Sequence, residues 1–378
     1  MADSPATQPA SPPAVSSSAT TAAADTAPPT APAPDNAPTS PSAPADDATE
    51  DPENPDALEA EADDGSSVDD HISAYSASLA SSVVDYPIEH GRRYHAYRSG
   101  AYFMPNDESE MDRLDLSHAT AVKLMGNKHY LAPLDKEKVH NILDIGTGTG
   151  IWAIEMGDIF PNAEIYGNDL SPIQPEWVPP NVKFEVDDVE SPWLDDRRYD
   201  YIFCRFMFGS VKDWPKLVKS IYDNLNPGGH AEFIDITSEY YSPDGTLKEE
   251  HATRQWNKTL VDAINSMGRE ISPGPKLEGW VKDAGFENIS HNKYLVPVGP
   301  WAKDPHYKEI GFMNLMQALK GLEGFTMRIF TGVLGWTREE VEVHLVDVRK
   351  ELKALHTFHA QYDLHVVYGQ KPLTEEAS

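Results

Sequence analysis

The segment Asn141-Ile-Leu-Asp-Ile-Gly-Thr-Gly-Thr-Gly-Ile-Trp152 limits what this chain can fold into more than any other. A short apolar run of strand type meets three glycines at alternate positions, and a helical pattern starts at once. Gly146, Gly148 and Gly150 permit a tight turn and let a ligand approach the backbone where a β-carbon would block it. The dinucleotide fingerprint G-x-G-x-x-G would need its third glycine at 151, which is Ile151. Asp144 stands just before the turn. A carboxylate there is unfavourable for a pyrophosphate and suits a cofactor with a cationic end. The competing reading is a glycine-rich turn with no ligand.

Around this segment strands and helices alternate. Strands are expected at 139–145, 163–167, 182–186, 199–203 and 230–236, with helices at 151–160 and 215–225, the latter ending at the Asn226-Pro-Gly-Gly break. That rhythm implies parallel pairing and a sheet covered on both faces, a doubly wound, mostly parallel α/β fold. After residue 236 helices are expected at 249–267 and 275–284 and a strand at 287–296. Two helical stretches, 304–322 and 337–355, then precede a last strand at 361–368. An excursion over 297–356 is far longer than an ordinary connection and reads as a helical insertion over one end of the sheet. Upstream, Met111, Leu114, His118, Val122 and Met125 recur at helical spacing, so 108–125 is expected to be an amphipathic helix after a Pro-Asn-Asp turn.

Charge and composition narrow the function classes. The 378 residues carry a formal net charge of −30, and residues 1–70 hold 15 acidic residues with no Lys, Arg or aromatic residue. Of those 70 residues, 47 are Ala, Pro, Ser or Thr, too little apolar surface to offset ordering entropy, so this tail is expected to be disordered. Residues 71–378 still carry 46 acidic against 31 basic residues, which disfavours unaided nucleic-acid binding. Cys204 is the single cysteine, which excludes an internal disulfide and a multi-thiolate zinc site. No apolar run approaches the roughly 18 residues of a membrane span, and the N-terminus lacks secretory features. An intracellular protein, nuclear or cytoplasmic, is expected. The organisation expected is a tail at 1–70, an N-terminal lid at 71–133 and a cofactor-binding domain at 134–378.

Leu143-Asp-Ile-Gly-Thr-Gly-Thr-Gly150 resembles the first motif of class I S-adenosylmethionine-dependent methyltransferases, a Rossmann-like family with a seven-stranded sheet. The resemblance implies a cofactor site of Asp144, Gly146, Thr147, Gly148, Gly150, Asp169, Leu170, Asp187, Asp188, Val189 and Arg205. Asp169, 23 residues after Gly146, would accept both ribose hydroxyls; its other reading is a helix N-cap. Asp187-Asp188-Val189 would meet the adenine, or else be a solvated loop pair. Arg205 follows the fourth strand, where methyl donor and acceptor meet, or else neutralises Asp200 or another nearby acid. The Asn/Asp-Pro-Pro-Tyr signature that grips planar amines is missing there, which argues against adenine, cytosine or glutamine side chains as acceptors.

A narrower likeness spans nearly all of 86–370. Gly91-Arg-Arg-Tyr-His95, Tyr102-Phe-Met-Pro-Asn-Asp-Glu108, Gly150-Ile-Trp-Ala-Ile-Glu155, Ile173-Gln-Pro175, Asp188-Val-Glu-Ser-Pro-Trp193, Gly209-Ser-Val-Lys-Asp-Trp214 and Pro300-Trp-Ala-Lys-Asp-Pro305 are similar to fungal LaeA-like methyltransferases. That family includes the velvet-complex regulator of secondary metabolism and its paralogues. The resemblance implies either methyl transfer to a small metabolite or protein, or a regulatory scaffold that binds S-adenosylmethionine and velvet-type partners with little turnover. Tyr94, His95 and His118 are candidate bases. Trp301, Tyr307, Phe312, Met313, Met316, Phe325 and Phe330 are expected to wall the acceptor or to form the insertion's own core. His356, His359 and His365 lack a fourth ligand, so no metal is expected.

Overall fold

The computed structural model describes residues 83–194, 196–354 and 358–373. The acidic tail and His356 lie outside the described residues. The chain enters through a small hairpin, β1 (Ile88–Glu89) and β2 (Arg92–Arg93), whose turn residues His90 and Gly91 both take positive φ, matching the twist of the paired strands. Helix α1 (Glu108–Leu124) starts at Asp107, which caps the Glu110 amide at 3.1 Å and also binds Arg92 at 2.6 Å.

The alternating part follows as β3 (Asn141–Ile145), α2 (Ile151–Ile159), β4 (Glu164–Asp169), β5 (Val182–Val186), β6 (Tyr199–Arg205), α3 (Trp214–Asn224) and β7 (Leu225–Ile236). Helices α4 (Ala252–Ser266) and α5 (Leu277–Asp283) lead to β8 (Glu287–Pro297). Helices α6 (Pro305–Gly332) and α7 (Arg338–Lys353) then precede β9 (Gln361–Gln370). Strand order is β5-β4-β3-β6-β7-β9-β8, parallel from β5 to β7 and antiparallel at both β9 contacts. The expected doubly wound sheet of seven strands is therefore present. Alternation along β6 shows both faces covered: Tyr201 and Phe203 pack toward Trp152 and Met156 of α2, while Ile202 and Cys204 pack toward Leu217 and Val218 of α3.

Two connections depart from the expected rhythm. Neither 170–181 nor 187–198 contains a helix among the described residues. Pro172, Pro175, Pro179 and Pro180 remove backbone donors from the first of these, so no helix follows Asp169 for it to cap. Helix α6 runs ten residues past the expected end at 322 and packs against α1, α4, α7 and β8. The chain order reverses between β4 and β6, on either side of β3. In open α/β sheets that switch point opens a crevice at the carboxyl ends of the strands.

Candidate active site

A cleft of about 1180 Å³ occupies that crevice. Its floor is the loop 146–149, where Gly146 and Gly148 take φ of +65° and +59°. Thr147 ties this loop down, its amide donating to the Asn168 carbonyl at 2.9 Å and its hydroxyl to Asp144 at 2.6 Å. Asp144 is thereby buried beneath the loop. Burial pushes its carboxyl up to about 7, against the opposing pull of the Thr147 hydrogen bond and the Arg205 charge. Gly150 caps α2 at φ +78° and faces Phe184, whose Cε1 would stand 2.9 Å from an added β-carbon. The structure thus brings Gly146, Thr147, Gly148, Asp169, Leu170, Asp187, Asp188, Val189 and Arg205 to the cleft wall, and leaves Asp144 and Gly150 behind it.

Asp169 stands at the end of β4, accepting from the Gly148 amide at 2.9 Å and the Ser171 amide at 3.0 Å. Burial raises its pKa, and those amides hold the rise in check. Asp188 accepts from the Glu190 amide at 3.0 Å and faces Arg98 at 3.7 Å. Asp187 bonds the Asp188 amide at 2.8 Å. With Glu110 and Glu190, these acids give the cleft a negative wall that suits a cationic ligand.

Arg205 is the cation on this wall. Its Nη2 lies 2.9 Å from His118 Nδ1, its Nη1 is buried with no hydrogen-bond partner among the described residues, and Asp200 is engaged elsewhere by the His140 and Asn141 amides. Burial lowers the Arg205 pKa to about 10. A guanidinium can only donate, so His118 accepts at Nδ1 and donates from Nε2 to Glu155 at 2.8 Å. His129 meets the same Glu155 oxygen at 2.8 Å. Burial and the Arg205 charge hold His118 down at about 4, so its ring is neutral. His118, His129 and Glu155 have ligand atoms within 4.8 Å of one another, yet the Arg205 bond keeps the His118 lone pair on the wrong nitrogen for a shared metal. Of the candidate bases only His118 reaches the cleft. Tyr94 lies under Arg328 and His95 bonds the Arg98 carbonyl.

Residues that sequence reading missed complete the wall. Asn106, Glu110 and Ser117 come from the 86–133 stretch, and Phe206 and Met207 from the end of β6. Phe206 has φ +56°, unusual for a residue with a side chain, and its amide still reaches the Ile234 carbonyl at 2.9 Å. Its ring borders a second chamber of about 860 Å³. Tyr102, Leu114, Ser117 and Phe206 line both spaces. Phe208, Tyr240, Trp256 and Leu260 form the inner wall, and α6 supplies Asn314, Gln317, Ala318 and Phe325. Of the expected acceptor set only Phe325 is there. Phe312 and Met316 are on the outer face of α6, and Phe330 is core beside Trp336 and His344.

A family model described as a methyltransferase domain matches residues 116–291. Methyltransferase pytC of Aspergillus terreus is 48% identical over 296 residues, 78% of this chain and 91% of the relative. The chain belongs to the fungal LaeA-like methyltransferase family. The secondary metabolism regulator LAE1 of Cochliobolus heterostrophus is 39% identical, over 75% of this chain and 94% of its own length. The regulator laeA of Monascus pilosus is 34% identical, over 76% and 78%. This LaeA-like chain is an S-adenosylmethionine-dependent methyltransferase of a family whose members include fungal secondary metabolism regulators.

The cleft fits that cofactor. Its acids face a molecule with sulfonium and ammonium charges, and the glycine floor is open at Gly148, where only Leu114 lies within 4 Å of an added β-carbon. When bound, the cofactor supplies an electrophilic methyl carbon.

Proposed function

We propose that this enzyme methylates a small molecule held in the inner chamber, with Asp169, Asp188 and the 146–148 loop holding S-adenosylmethionine in the adjoining cleft. The observation that supports this reading is the chamber itself. Met104, Arg113, Trp256, Asn257, Asn314 and Tyr362 line it, each at most 9% exposed, and it adjoins the cleft through Tyr102, Leu114, Ser117 and Phe206. A pocket lined by buried side chains and several aromatic rings suits a compact, largely apolar acceptor better than a charged side chain carried on a protein surface. Methyl transfer from a sulfonium needs the nucleophile in line and about 3 to 3.5 Å from the methyl carbon, so positioning carries most of the catalysis. Isotope-labelled cofactor incubated with fungal extract, resolved into protein and small-molecule fractions, tests the proposal: label in the small-molecule fraction is expected. Label confined to protein would overturn it.

A regulatory role is the second reading, favoured by the 39% identity to a protein named as a secondary metabolism regulator. It would place the chain in the nucleus with velvet-type partner proteins. Co-purification of such partners with a cofactor-binding but turnover-deficient variant tests it. No described helix is long and apolar enough to cross a membrane.

A further inference from the structure

We infer that the acceptor presents an oxyanion, a carboxylate or an acidic enol, on a flat apolar body, and that Arg205 receives it. This rests on reading the chamber as the acceptor site. Transfer must occur where cleft and chamber meet, and the side chains bordering both are a phenol, an aliphatic group, a primary hydroxyl and a phenyl ring: Tyr102, Leu114, Ser117 and Phe206. None of these takes a proton at neutral pH, and burial pushes the Tyr102 phenol further up.

The nearest basic groups are already engaged. Glu110 is clamped by Arg113 through Nε at 3.0 Å and Nη2 at 2.7 Å, both side chains being almost fully buried. His118 accepts from Arg205 at one nitrogen and gives its proton to Glu155 from the other. An alcohol or a protonated amine entering this junction would have nowhere to leave its proton. An oxyanion has none to lose. Its lone pair attacks the methyl carbon, the carbon–sulfur bond breaks with its electron pair going to sulfur, and the products are a neutral methyl ester or enol ether and S-adenosylhomocysteine.

A cation is ready for such a group. Arg205 Nη1 is buried without a hydrogen-bond partner among the described residues, and its neighbour in sequence is Phe206, which borders both spaces. A buried donor left unpaired costs stability until an acceptor arrives, and an anionic oxygen is the strongest acceptor available. The rest of the chamber is apolar or internally bonded: Tyr362 donates to Asn314 at 3.0 Å, Gln317 to Asn314 at 2.6 Å and Asn257 to the Ser238 carbonyl at 2.9 Å. The body of the acceptor therefore meets rings, among them Tyr240 and Trp256, rather than free donors.

The test uses the full chain saturated with S-adenosylhomocysteine, which lacks the sulfonium charge, so that any preference for an anion comes from the protein. Calorimetric titration with 2-naphthoate and with 2-naphthalenemethanol compares one flat body carrying an anion or a neutral hydroxyl. The expected result is at least tenfold tighter binding of the carboxylate, reduced to near parity in Arg205→Met, with S-adenosylhomocysteine affinity changed less than threefold. Equal binding of the two probes by the wild type overturns the inference while leaving the small-molecule acceptor standing. Loss of S-adenosylhomocysteine binding in both Arg205→Met and Arg205→Lys assigns Arg205 to the cofactor and overturns the inference as well. Failure of both probes to bind, with label transferred only to protein, removes the acceptor reading on which it depends.

Discussion

Gly148 and Gly150 are two residues apart, both have positive φ, and the structure assigns them different work. An alanine at either position would hold a left-handed backbone at a cost of about 1 to 2 kcal/mol. At Gly150 the new β-carbon would also run into Phe184, whose ring sits in a slot between Gly150 and Gly167 and cannot withdraw without disturbing β4 or β5. Overpacking of that kind costs about 1 to 3 kcal/mol, so Gly150→Ala should lose about 2 to 5 kcal/mol in all. At Gly148 the β-carbon meets only Leu114 Cδ1, at 3.4 Å, and stands on the cleft side of the loop. For a domain of this size about 1 kcal/mol moves the melting temperature by roughly 2 °C. Calorimetric melting is then expected to fall by about 4 to 10 °C for Gly150→Ala and by about 2 to 4 °C for Gly148→Ala. Titration with S-adenosylmethionine should show the reverse order, with at least a tenfold loss at Gly148 and little at Gly150. Adding Phe184→Leu should recover part of the Gly150→Ala loss, because the two changes share one contact. Equal melting losses with no rescue, or unchanged cofactor affinity in Gly148→Ala, would refute the division.

Asp169→Asn keeps an oxygen for the Gly148 amide but gives up the charge, so S-adenosylmethionine binding should weaken by about ten- to a hundredfold while the cooperative melt survives; a lost melt would instead make Asp169 a loop fastener. Ala318→Phe fills the inner chamber from α6 and should cut methyl transfer at least tenfold with cofactor affinity unchanged; a parallel fall in both would mark the chamber as part of the cofactor site. His365 is held down at about 4 by burial and by the charge of neighbouring His291, to whose Nε2 it lies at 2.8 Å. Its folded pKa is below the unfolded value, so its stabilising contribution is complete above about pH 6.5 and is lost as pH falls toward 4. Melting curves from pH 4 to 8 should show a smaller acid loss in His365→Gln than in wild type, and an unchanged loss would refute the assignment.

The parallel strands were legible as short apolar or alternating runs bounded by turn residues, and strand 182–186 has the expected bounds. Helix α6 was read short for a physical reason. Gly321 and Gly324 look like breakers in a sequence, yet a β-carbon at 321 would stand 2.5 Å from Arg113 Cδ and one at 324 would stand 3.3 Å from Pro105 Cδ. They are small because α1 and the loop before it press against α6. The same contact inverts α1. Its expected apolar stripe is only partly covered, while Glu110, Arg113 and Ser117 are buried, because an ion pair satisfied within one helix turn can be enclosed where a lone charge cannot.

This contrast explains why the residues of the cleft were readable in the sequence and those of the chamber were not. Gly146, Gly148, Asp169, Asp188 and Arg205 each lie at or just beyond the end of a parallel strand, and a doubly wound sheet sends all such ends to one edge whatever else the chain does. Their convergence follows from topology, with no knowledge of side-chain packing. The chamber has no such rule. Arg113 and Gln317, at 3.4 Å, are separated by 204 residues, and Tyr362 reaches Asn314 from the far side of the α6–α7 insertion. Aromatic and apolar character marked Phe312, Met316 and Phe325 as acceptor wall or insertion core; the fold leaves Phe312 and Met316 exposed and lines the chamber with Phe325 beside Gln317 and Ala318. The residues that line the chamber are therefore set by how helices distant in sequence pack against each other. On the proposed reading a change of acceptor calls for substitutions at Gln317, Ala318 and Phe325, none of which lines the cleft of the glycine loop, Asp169 and Asp188.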